Sequence, residues 1–287
     1  MSIAFKQLTH IYNVDSPFPY TALTNVDLEI EKGTFCAIIG ETGSGKTTLV
    51  QHLNALLLPT SGEVEVDEFR VCANKNENKN LKQLRKKVGL VFQFPEYQLF
   101  EETIAKDVCF GPLNFGMSVE EAFAKCKEVL RIVGLDETYL ERNPFELSGG
   151  QKRRVAIAGI LAADPDVLVL DEPTAGLDPQ GAKEMMSLFK MLNEKYGKTI
   201  IMVTHDMEHV LEYCKEVIVM KKGMVERRCN VNDFFSDLDF LAKFNITPPA
   251  IIRTRMLLQE KGFMMDGDIL SVDALVKRIK EEVKKHG

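Results

Sequence analysis

Residues 40–48 read Gly-Glu-Thr-Gly-Ser-Gly-Lys-Thr-Thr, and this stretch decides the fold. It fits the phosphate-binding loop pattern G-x-x-x-x-G-K-[ST] in full. The apolar run Phe35–Ile39 before it predicts a buried strand, and residues 47–58 after it predict a helix. Gly43 and Gly45 tolerate backbone angles that other residues resist, so that successive N–H groups can converge on phosphate oxygens. The alternative is a chance glycine turn, and the agreement of strand, loop and helix argues against it.

The loop predicts a nucleotide and a metal ion. Lys46 is expected to reach the β- and γ-phosphates, and the Thr47 hydroxyl is expected to ligate Mg²⁺. The full set that we predict to bind the nucleotide at the loop is Gly40, Thr42, Gly43, Ser44, Gly45, Lys46, Thr47 and Thr48.

A second stretch, Leu-Ser-Gly-Gly-Gln at residues 147–151, also has the features of a phosphate site. Ser148 can cap a helix over residues 150–163, and the two glycines let backbone N–H groups approach an anion closely. One γ-phosphate does not need two such sites in one chain, so we expect the second to serve a nucleotide held by another subunit. The alternative is a common Ser-Gly-Gly turn with a solvated basic flank at residues 152–154.

A third stretch, Val-Leu-Val-Leu-Asp-Glu at residues 167–172, predicts a buried strand that ends in two carboxylates at the edge of a parallel sheet. Asp171 can hold Mg²⁺ through water, and Glu172 can orient the attacking water or accept its proton. An exposed acidic strand end before a turn is the alternative.

These stretches together resemble the ATPase subunit of an ATP-binding cassette (ABC) transporter, over roughly residues 3–228 and in the family's order. The resemblance implies catalytic roles for Glu172, for the switch histidine His205 and for the Q-loop glutamine Gln93. It implies Mg²⁺ ligation by Thr47, Gln93 and Asp171, adenine stacking by Tyr12, and a D-loop at Asp178. The signature that contacts the partner subunit's ATP would be Leu147, Ser148, Gly149, Gly150 and Gln151.

His205 and His209 are four residues apart, a spacing that also occurs in zinc sites. Asp206 stands where that motif carries Glu, His205 falls at a predicted strand end, and no third His or Cys is near. We therefore interpret His205 as a hydrogen-bond partner of the γ-phosphate or of water, and His209 as a helix surface residue.

Composition sets limits on the function. The 287 residues are 45% apolar, and the net charge of −6 disfavours a nucleic-acid partner. The six cysteines are scattered without a C-x-x-C pair, which is typical of reduced thiols. Apolar runs fall short of the ~20 residues that span a bilayer, and residues 1–13 lack the features of a secretory signal. We expect any membrane role to come through a partner.

The predicted fold class is α/β, a P-loop NTPase cassette with a parallel core sheet, an antiparallel β subdomain and a helical subdomain at about residues 94–146. The ABC ATPase domain would span residues 1–230, and a small α-rich C-terminal domain residues 231–287. In that second domain we predict a helix over 250–260 that stops at Gly262, and one capped by Ser271. The latter carries an apolar stripe that must be buried, by default against this subunit and otherwise against a second one: Val272, Leu275, Val276, Ile279 and Val283.

The chain length and the Q-loop sequence Phe-Gln-Phe-Pro-Glu-Tyr-Gln-Leu-Phe at residues 92–100 resemble an energy-coupling factor (ECF) transporter ATPase. That family imports vitamins or transition-metal ions. Two ATPases, often paralogues, pair head to tail beneath an integral coupling protein and a substrate-capture protein, and the C-terminal domain helps to hold them together. The resemblance implies a peripheral subunit at the cytoplasmic face. The Phe-Pro-Glu-Tyr-Gln version of the Q-loop resembles the second of the two paralogues, which favours a heterodimer, a homodimer being the alternative. Glu96, Glu101 and Glu102 are candidates to pair with basic residues of the membrane partner, an exposed acidic surface being the alternative.

Two other functions stay open on the sequence. The first is an ATPase of another ABC importer, for amino acids or metals. The second is a soluble ABC ATPase without a transport role, although the chain has one phosphate loop, no charged linker between two cassettes and no long coiled coil.

Overall fold

The computed structural model describes residues 2–265 and 269–286. Met1 and Gly287, the outer bounds of the predicted domains, lie outside the described residues. The strands are β1 (Ser2–Tyr12), β2 (Tyr20–Glu31), β3 (Phe35–Ile39), β4 (Ser61–Val66), β5 (Phe69–Cys72), β6 (Val88–Val91), β7 (Val167–Asp171), β8 (Thr199–Val203), β9 (Glu216–Lys221) and β10 (Met224–Asn230). The helices are α1 (Lys46–Gln51), α2 (Leu81–Lys87), α3 (Ile104–Asn114), α4 (Val119–Ile132), α5 (Gly149–Leu161), α6 (Pro179–Tyr196), α7 (Met207–Tyr213), α8 (Val231–Ser236), α9 (Leu238–Lys243), α10 (Ala250–Glu260) and α11 (Val272–His286).

The central sheet has the order β10-β9-β3-β8-β7-β6, parallel throughout except for β10. Its middle strands are continuous apolar runs because both faces are covered. In β3, Phe35, Ala37 and Ile39 join one hydrophobic cluster, with residues of α3–α6. Cys36 and Ile38 join the other, with residues of β1 and β2. The α/β fold class is therefore confirmed.

The second sheet has the order β2-β1-β4-β5 and is antiparallel. Along β2, from Val26 to Ile30, buried and exposed residues alternate, as the sequence predicts for a strand with one face on the core. This sheet places Tyr12, the last residue of β1, opposite Tyr20, the first residue of β2.

The segment of the predicted helical subdomain, at about residues 94–146, contains α3 and α4, each capped by a hydroxyl side chain. Thr103 accepts a hydrogen bond from the Lys106 amide, and Ser118 forms a capping box with Glu121. Both helices contact α5, so that the Leu-Ser-Gly-Gly-Gln segment is attached to this helical layer.

The helix predicted over residues 47–58 is wrong in its length, because α1 ends at Gln51. Ala55 has a φ of +53°, and the amides of Leu56 and Leu57 both donate to the Gln51 carbonyl. His52 is fully buried, with Nδ1 2.7 Å from the Thr48 carbonyl oxygen and Nε2 3.2 Å from His10 Nδ1. The contact with His10, on β1, holds His52 at the turn where local propensity alone would continue the helix.

The C-terminal helices have the predicted bounds. Helix α10 covers the expected residues, Gly262 follows it with a φ of +87°, and Ser271 Oγ accepts a hydrogen bond from the Ala274 amide. The stripe on α11 is covered only in part: Leu275 is buried, whereas side chains such as Val272, 69% exposed, face solvent. The expectation that this subunit buries the whole stripe is wrong for Val272, Val276 and Val283. The domain boundary at residue 230 stays a prediction.

Across residues 2–265 and 269–286, the structure contains no helix that is both long and apolar enough to cross a membrane.

Candidate active site

The loop between β3 and α1 needs its glycines for two different reasons. Gly40, Gly43 and Gly45 have φ angles of +148°, +81° and +99°, which other residues rarely adopt. A Cβ atom on Gly40 would lie 2.2 Å from the Met220 carbonyl oxygen, and one on Gly45 would lie 2.7 Å from the Ala22 carbonyl oxygen. The backbone requirement at Gly43 and Gly45 agrees with the sequence reasoning. The close approach at Gly40 was not predicted.

Lys46 lies against this loop. Its Nζ donates to the carbonyl oxygens of Gly40 at 2.8 Å and Glu41 at 3.0 Å. Burial lowers the pKa of Lys46, although the carboxylates of Glu172 and Asp171 act in the opposite direction. The neighbouring Ser44 is 4% exposed, and its buried Oγ has no hydrogen-bond partner among the described residues.

Asp171 ends β7 directly opposite the first turn of α1. Thr47 Oγ1 donates to Asp171 Oδ2 at 3.0 Å. Burial raises the pKa of Asp171, while the Thr47 hydrogen bond and the Lys46 charge oppose that rise. A partly buried carboxylate, a hydroxyl and an ammonium therefore meet at this edge of the sheet.

The next residue, Glu172, has a φ of +48°, an uncommon backbone conformation for a residue other than glycine. Its amide donates to the Val203 carbonyl at 2.9 Å, which ties it to β8. Glu172 Oε1 lies 2.8 Å from Nδ1 of His205, whose side chain is 83% exposed. The two adjacent carboxylates thus have different partners, Thr47 for Asp171 and His205 for Glu172. Strain of this kind concentrates at functional sites.

One cleft contains these groups together with the Q-loop glutamine Gln93. Its lining residues are Tyr20, Ala22, Thr42, Gly43, Gly45, Lys46, Thr47, Thr48, Gln93, Asp171, Glu172 and Val203. Tyr12 contacts the cleft through Thr48, whose Oγ1 is 3.2 Å from the Tyr12 hydroxyl. The sequence analysis does not identify Tyr20 as a residue of this cleft. The available signal was an aromatic residue at the start of β2, but its pairing with Tyr12 depends on the strand register.

The Leu-Ser-Gly-Gly-Gln segment leads into α5, and none of its residues is among those that line this cleft. Ser148 is exposed and caps the helix: its Oγ accepts from the Gln151 amide, and Gln151 Oε1 accepts from the Ser148 amide at 3.1 Å. Gly149 and Gly150 are exposed, with no heavy atom within 4 Å of a Cβ built on either. Leu147 is partly buried against the core.

The remaining predicted residues lie at helix starts. Asp178 caps α6, with Oδ1 2.6 Å from the Gly181 amide. The interpretation of His209 as a surface residue is wrong, because its side chain is only 15% exposed and Nδ1 lies 3.2 Å from Asp206 Oδ2. Within the described part of the chain, no group of three or more His, Cys, Asp or Glu side chains is placed to hold a metal ion.

The chain combines a phosphate loop, a strand-end Asp-Glu pair, a Q-loop glutamine and a separate helix that starts with Ser-Gly-Gly. This combination defines the class of the ATP-binding cassette. The family model described as "ABC transporter" matches residues 23–175. Two curated relatives carry the name energy-coupling factor transporter ATP-binding protein EcfA2. The one from Bacillus cereus is 49% identical and the alignment covers 100% of this chain and 98% of the relative. The one from Enterococcus faecalis is 49% identical, with 100% and 99% covered.

Solved structures agree with this result. The chain is similar to cbiO1 from Clostridium perfringens, described as part of the ABC transporter complex cbiONQ, with a TM-score of 0.73, 37% identity, and 88% of this chain and 98% of that chain covered. It is also similar to a dimeric ATP-binding cassette in a post-hydrolysis state with ADP and Pi, with a TM-score of 0.70, 35% identity, and 80% and 98% covered. The chain belongs to the family of energy-coupling factor transporter ATP-binding proteins. It is an ATPase subunit whose hydrolysis of ATP is coupled to transport.

Proposed function

We propose that each ATP is held between two subunits. Lys46, Thr47 and Asp171 of one subunit would bind its phosphates and metal, and the segment 148–151 of the opposite subunit would close over the γ-phosphate. The observation that carries this proposal is the separation of the two phosphate-type sites: the exposed Ser148 start of α5 lies outside the cleft that contains Lys46. An interface between head-to-tail subunits would bring the two together.

The residues at the cleft fit a nucleotide with Mg²⁺. The Ser44 hydroxyl, buried and without a partner among the described residues, is a donor for a phosphate oxygen. Asp171, Thr47 and Gln93 supply the carboxylate and neutral oxygen ligands that Mg²⁺ prefers. When bound, Mg²⁺ neutralises charge that develops on the phosphates. Tyr12, with Tyr20 opposite it, would lie against the adenine.

Glu172 and His205 would act on the attacking water. The carboxylate of Glu172 can orient a water molecule and accept its proton, while His205, hydrogen-bonded to Glu172 at 2.8 Å, keeps one ring nitrogen for the γ-phosphate or the water. Asp178 would place the D-loop at the subunit interface.

The proposed partners are a second cassette ATPase, a paralogue or a second copy of this chain, an integral coupling protein and a substrate-capture protein. The cargo would be a vitamin or a transition-metal ion, and this subunit would sit peripherally at the cytoplasmic face of the membrane. Four aromatic side chains near the Q-loop are 40–85% exposed, which supports a docking site for a membrane partner: Phe94, Tyr97, Phe100 and Phe110. We call these four the aromatic face.

Fewer acidic residues of the Q-loop are available to bind a membrane partner than the sequence indicates. Glu96 is not a free carboxylate, because both of its oxygens bond Arg153. Glu102 is paired within the chain with Lys106 at 2.7 Å. Glu101 remains a candidate to contact a basic residue of the coupling protein.

The composite site can be tested with two serines that have the same local role. Ser148 and Ser118 both cap helices of the helical layer through a capping box. In a Glu172→Gln background with ATP and Mg²⁺, Ser148→Arg should abolish the ATP-dependent dimer, measured by light scattering, while nucleotide affinity of the monomer stays within about twofold. Ser118→Arg should leave the dimer intact.

A site shared between two subunits and a site contained in one subunit predict different results for the isolated monomer. If Ser148→Arg removes nucleotide binding from the isolated monomer, or if both arginine variants dimerise like the parent, the composite site is refuted. The measurement is made on this chain alone and with the second ATPase that co-purifies with it, which also separates a homodimer from a heterodimer.

A further inference from the structure

The burial of Arg153, on α5, differs from the sequence prediction. The sequence places it in a basic flank, residues 152–154, that we interpreted as a solvated helix face. That interpretation is wrong for Arg153, whose side chain is 3% exposed, whereas Lys152 and Arg154 are half-buried. A buried guanidinium is costly unless it is paired and its donors are satisfied, so its contacts indicate what holds it there.

The guanidinium uses all three of its nitrogens. Nε and Nη2 form a fork on the two carboxylate oxygens of Glu96, at 3.1 and 3.2 Å. Nη2 also donates to the Gln93 carbonyl at 3.2 Å. Nη1 donates to the Ala175 carbonyl at 2.8 Å and reaches the Pro173 carbonyl at 3.5 Å. Five bonds therefore join α5 to two other segments.

Each of those segments carries a residue of the active site. Gln93 lines the cleft, and its own carbonyl is one of the acceptors. The turn at residues 173–175 follows Glu172 directly, and the Ala175 amide donates to the Glu172 carbonyl at 3.1 Å. Helix α5 itself begins with the Leu-Ser-Gly-Gly-Gln segment. Arg153 is thus the point at which three functional segments of one subunit meet.

We propose that Arg153 is a positioning residue for ATP hydrolysis. It holds Gln93 and the turn after Glu172 in a fixed arrangement relative to α5, so that the catalytic groups of one site and the signature that serves the opposite site move as one body. The proposal deepens the proposed function and rests on the roles given there to Gln93, Glu172 and Ser148.

The geometry requires arginine itself. The acceptors lie in three directions, and a planar guanidinium with five N–H groups meets them together. A lysine keeps the charge but has one nitrogen, so it can pair with Glu96 without holding both Gln93 and Ala175. Arg153→Lys therefore separates the positioning role from simple charge balance.

The experiment measures kcat and KM for ATP, with thermal unfolding, in the assembled ATPase dimer. The variants are Arg153→Lys, Arg153→Met, Glu96→Gln and the double variant Glu96→Gln with Arg153→Met. Arg131→Gln is the control, since Arg131 forms an exposed pair with Glu137 on the same helical layer. We expect the three Arg153 variants to lower kcat about tenfold with KM within about twofold, because the phosphate loop is untouched.

The melting temperature should depend on these substitutions in a different way from kcat. Glu96→Gln leaves the buried guanidinium without its counterion and should lower the melting temperature, whereas the double variant removes both charges and should recover most of that loss. If kcat recovers together with stability in the double variant, the pair is only structural and the proposal is overturned. Wild-type kcat in Arg153→Lys would also overturn it. Gln93→Ala separates the two proposals: wild-type kcat in that variant refutes the role of Gln93, while Arg153 would still act through Ala175.

Discussion

Replacement of Glu172 by glutamine tests the chemistry of the site most directly. Glutamine has the same shape, so the backbone at φ +48° and the amide bond to Val203 are retained. It also keeps an oxygen that can accept from His205. What is lost is the negative charge and the basicity. General-base catalysis contributes about 10²- to 10⁴-fold, which corresponds to about 3–5 kcal/mol of the activation barrier.

We therefore expect Glu172→Gln to lower kcat for ATP hydrolysis at least about 100-fold. Nucleotide affinity should stay within about twofold, because Lys46, Thr47 and Asp171 are unchanged. The assay is steady-state phosphate release by the assembled dimer, with affinity measured by titration of a fluorescent nucleotide. Glu194→Gln, an exposed carboxylate on α6, is the matched control. If the Glu172 variant binds nucleotide normally and hydrolyses it within about threefold of the wild-type rate, the assignment of Glu172 as the base is wrong.

Three further predictions concern stability and docking. Burial lowers the pKa of His52 to about 4, so the unfolded chain takes up this proton first on acidification, and the free energy of unfolding should fall by about 3 kcal/mol between pH 6.5 and pH 4. His52→Gln should lack this component in urea titrations across that range, and an unchanged pH dependence would contradict it. Gly45→Ala should lower the unfolding midpoint more than Gly43→Ala: both have positive φ, worth about 1–2 kcal/mol each, but only at Gly45 would the new Cβ meet a backbone oxygen, 2.7 Å away. Equal midpoints would refute the close approach. Tyr97→Ala should reduce co-purification with the integral membrane partner while basal ATP hydrolysis stays unchanged, and undiminished co-purification would exclude Tyr97 from docking.

The sequence predicted those parts of the fold that depend on local patterns. Continuous apolar runs located the central strands, and Phe35–Ile39 has the bounds that were expected. The cap at Ser148 located the start of α5 within one residue. These predictions hold because a buried parallel strand must be apolar on both faces, and because a helix start needs a side-chain acceptor for its free amides.

The parts that could not be predicted depend on contacts between distant residues. Arg153 is read as solvated because its partner Glu96 lies 57 positions away, and nothing in the local pattern of α5 indicates a buried charge. The end of α1 is set by the contact of His52 with His10, 42 positions away. Tyr20 joins the site through strand register alone. In each case the local sequence is compatible with the wrong answer, and tertiary packing decides.

In the Q-loop segment at residues 93–98, two adjacent side chains lie in different environments. Tyr97 is 85% exposed on one side, while Glu96, the residue before it, is bonded to the buried Arg153 on the other. If the proposed membrane partner displaces Tyr97 on docking, Glu96 would move with it, and through Arg153 the movement would act on α5 and on the turn after Glu172. Docking and hydrolysis would then be linked through one ion pair. This linkage requires Tyr97→Ala to lower transport without lowering basal kcat, whereas Arg153→Lys must lower both.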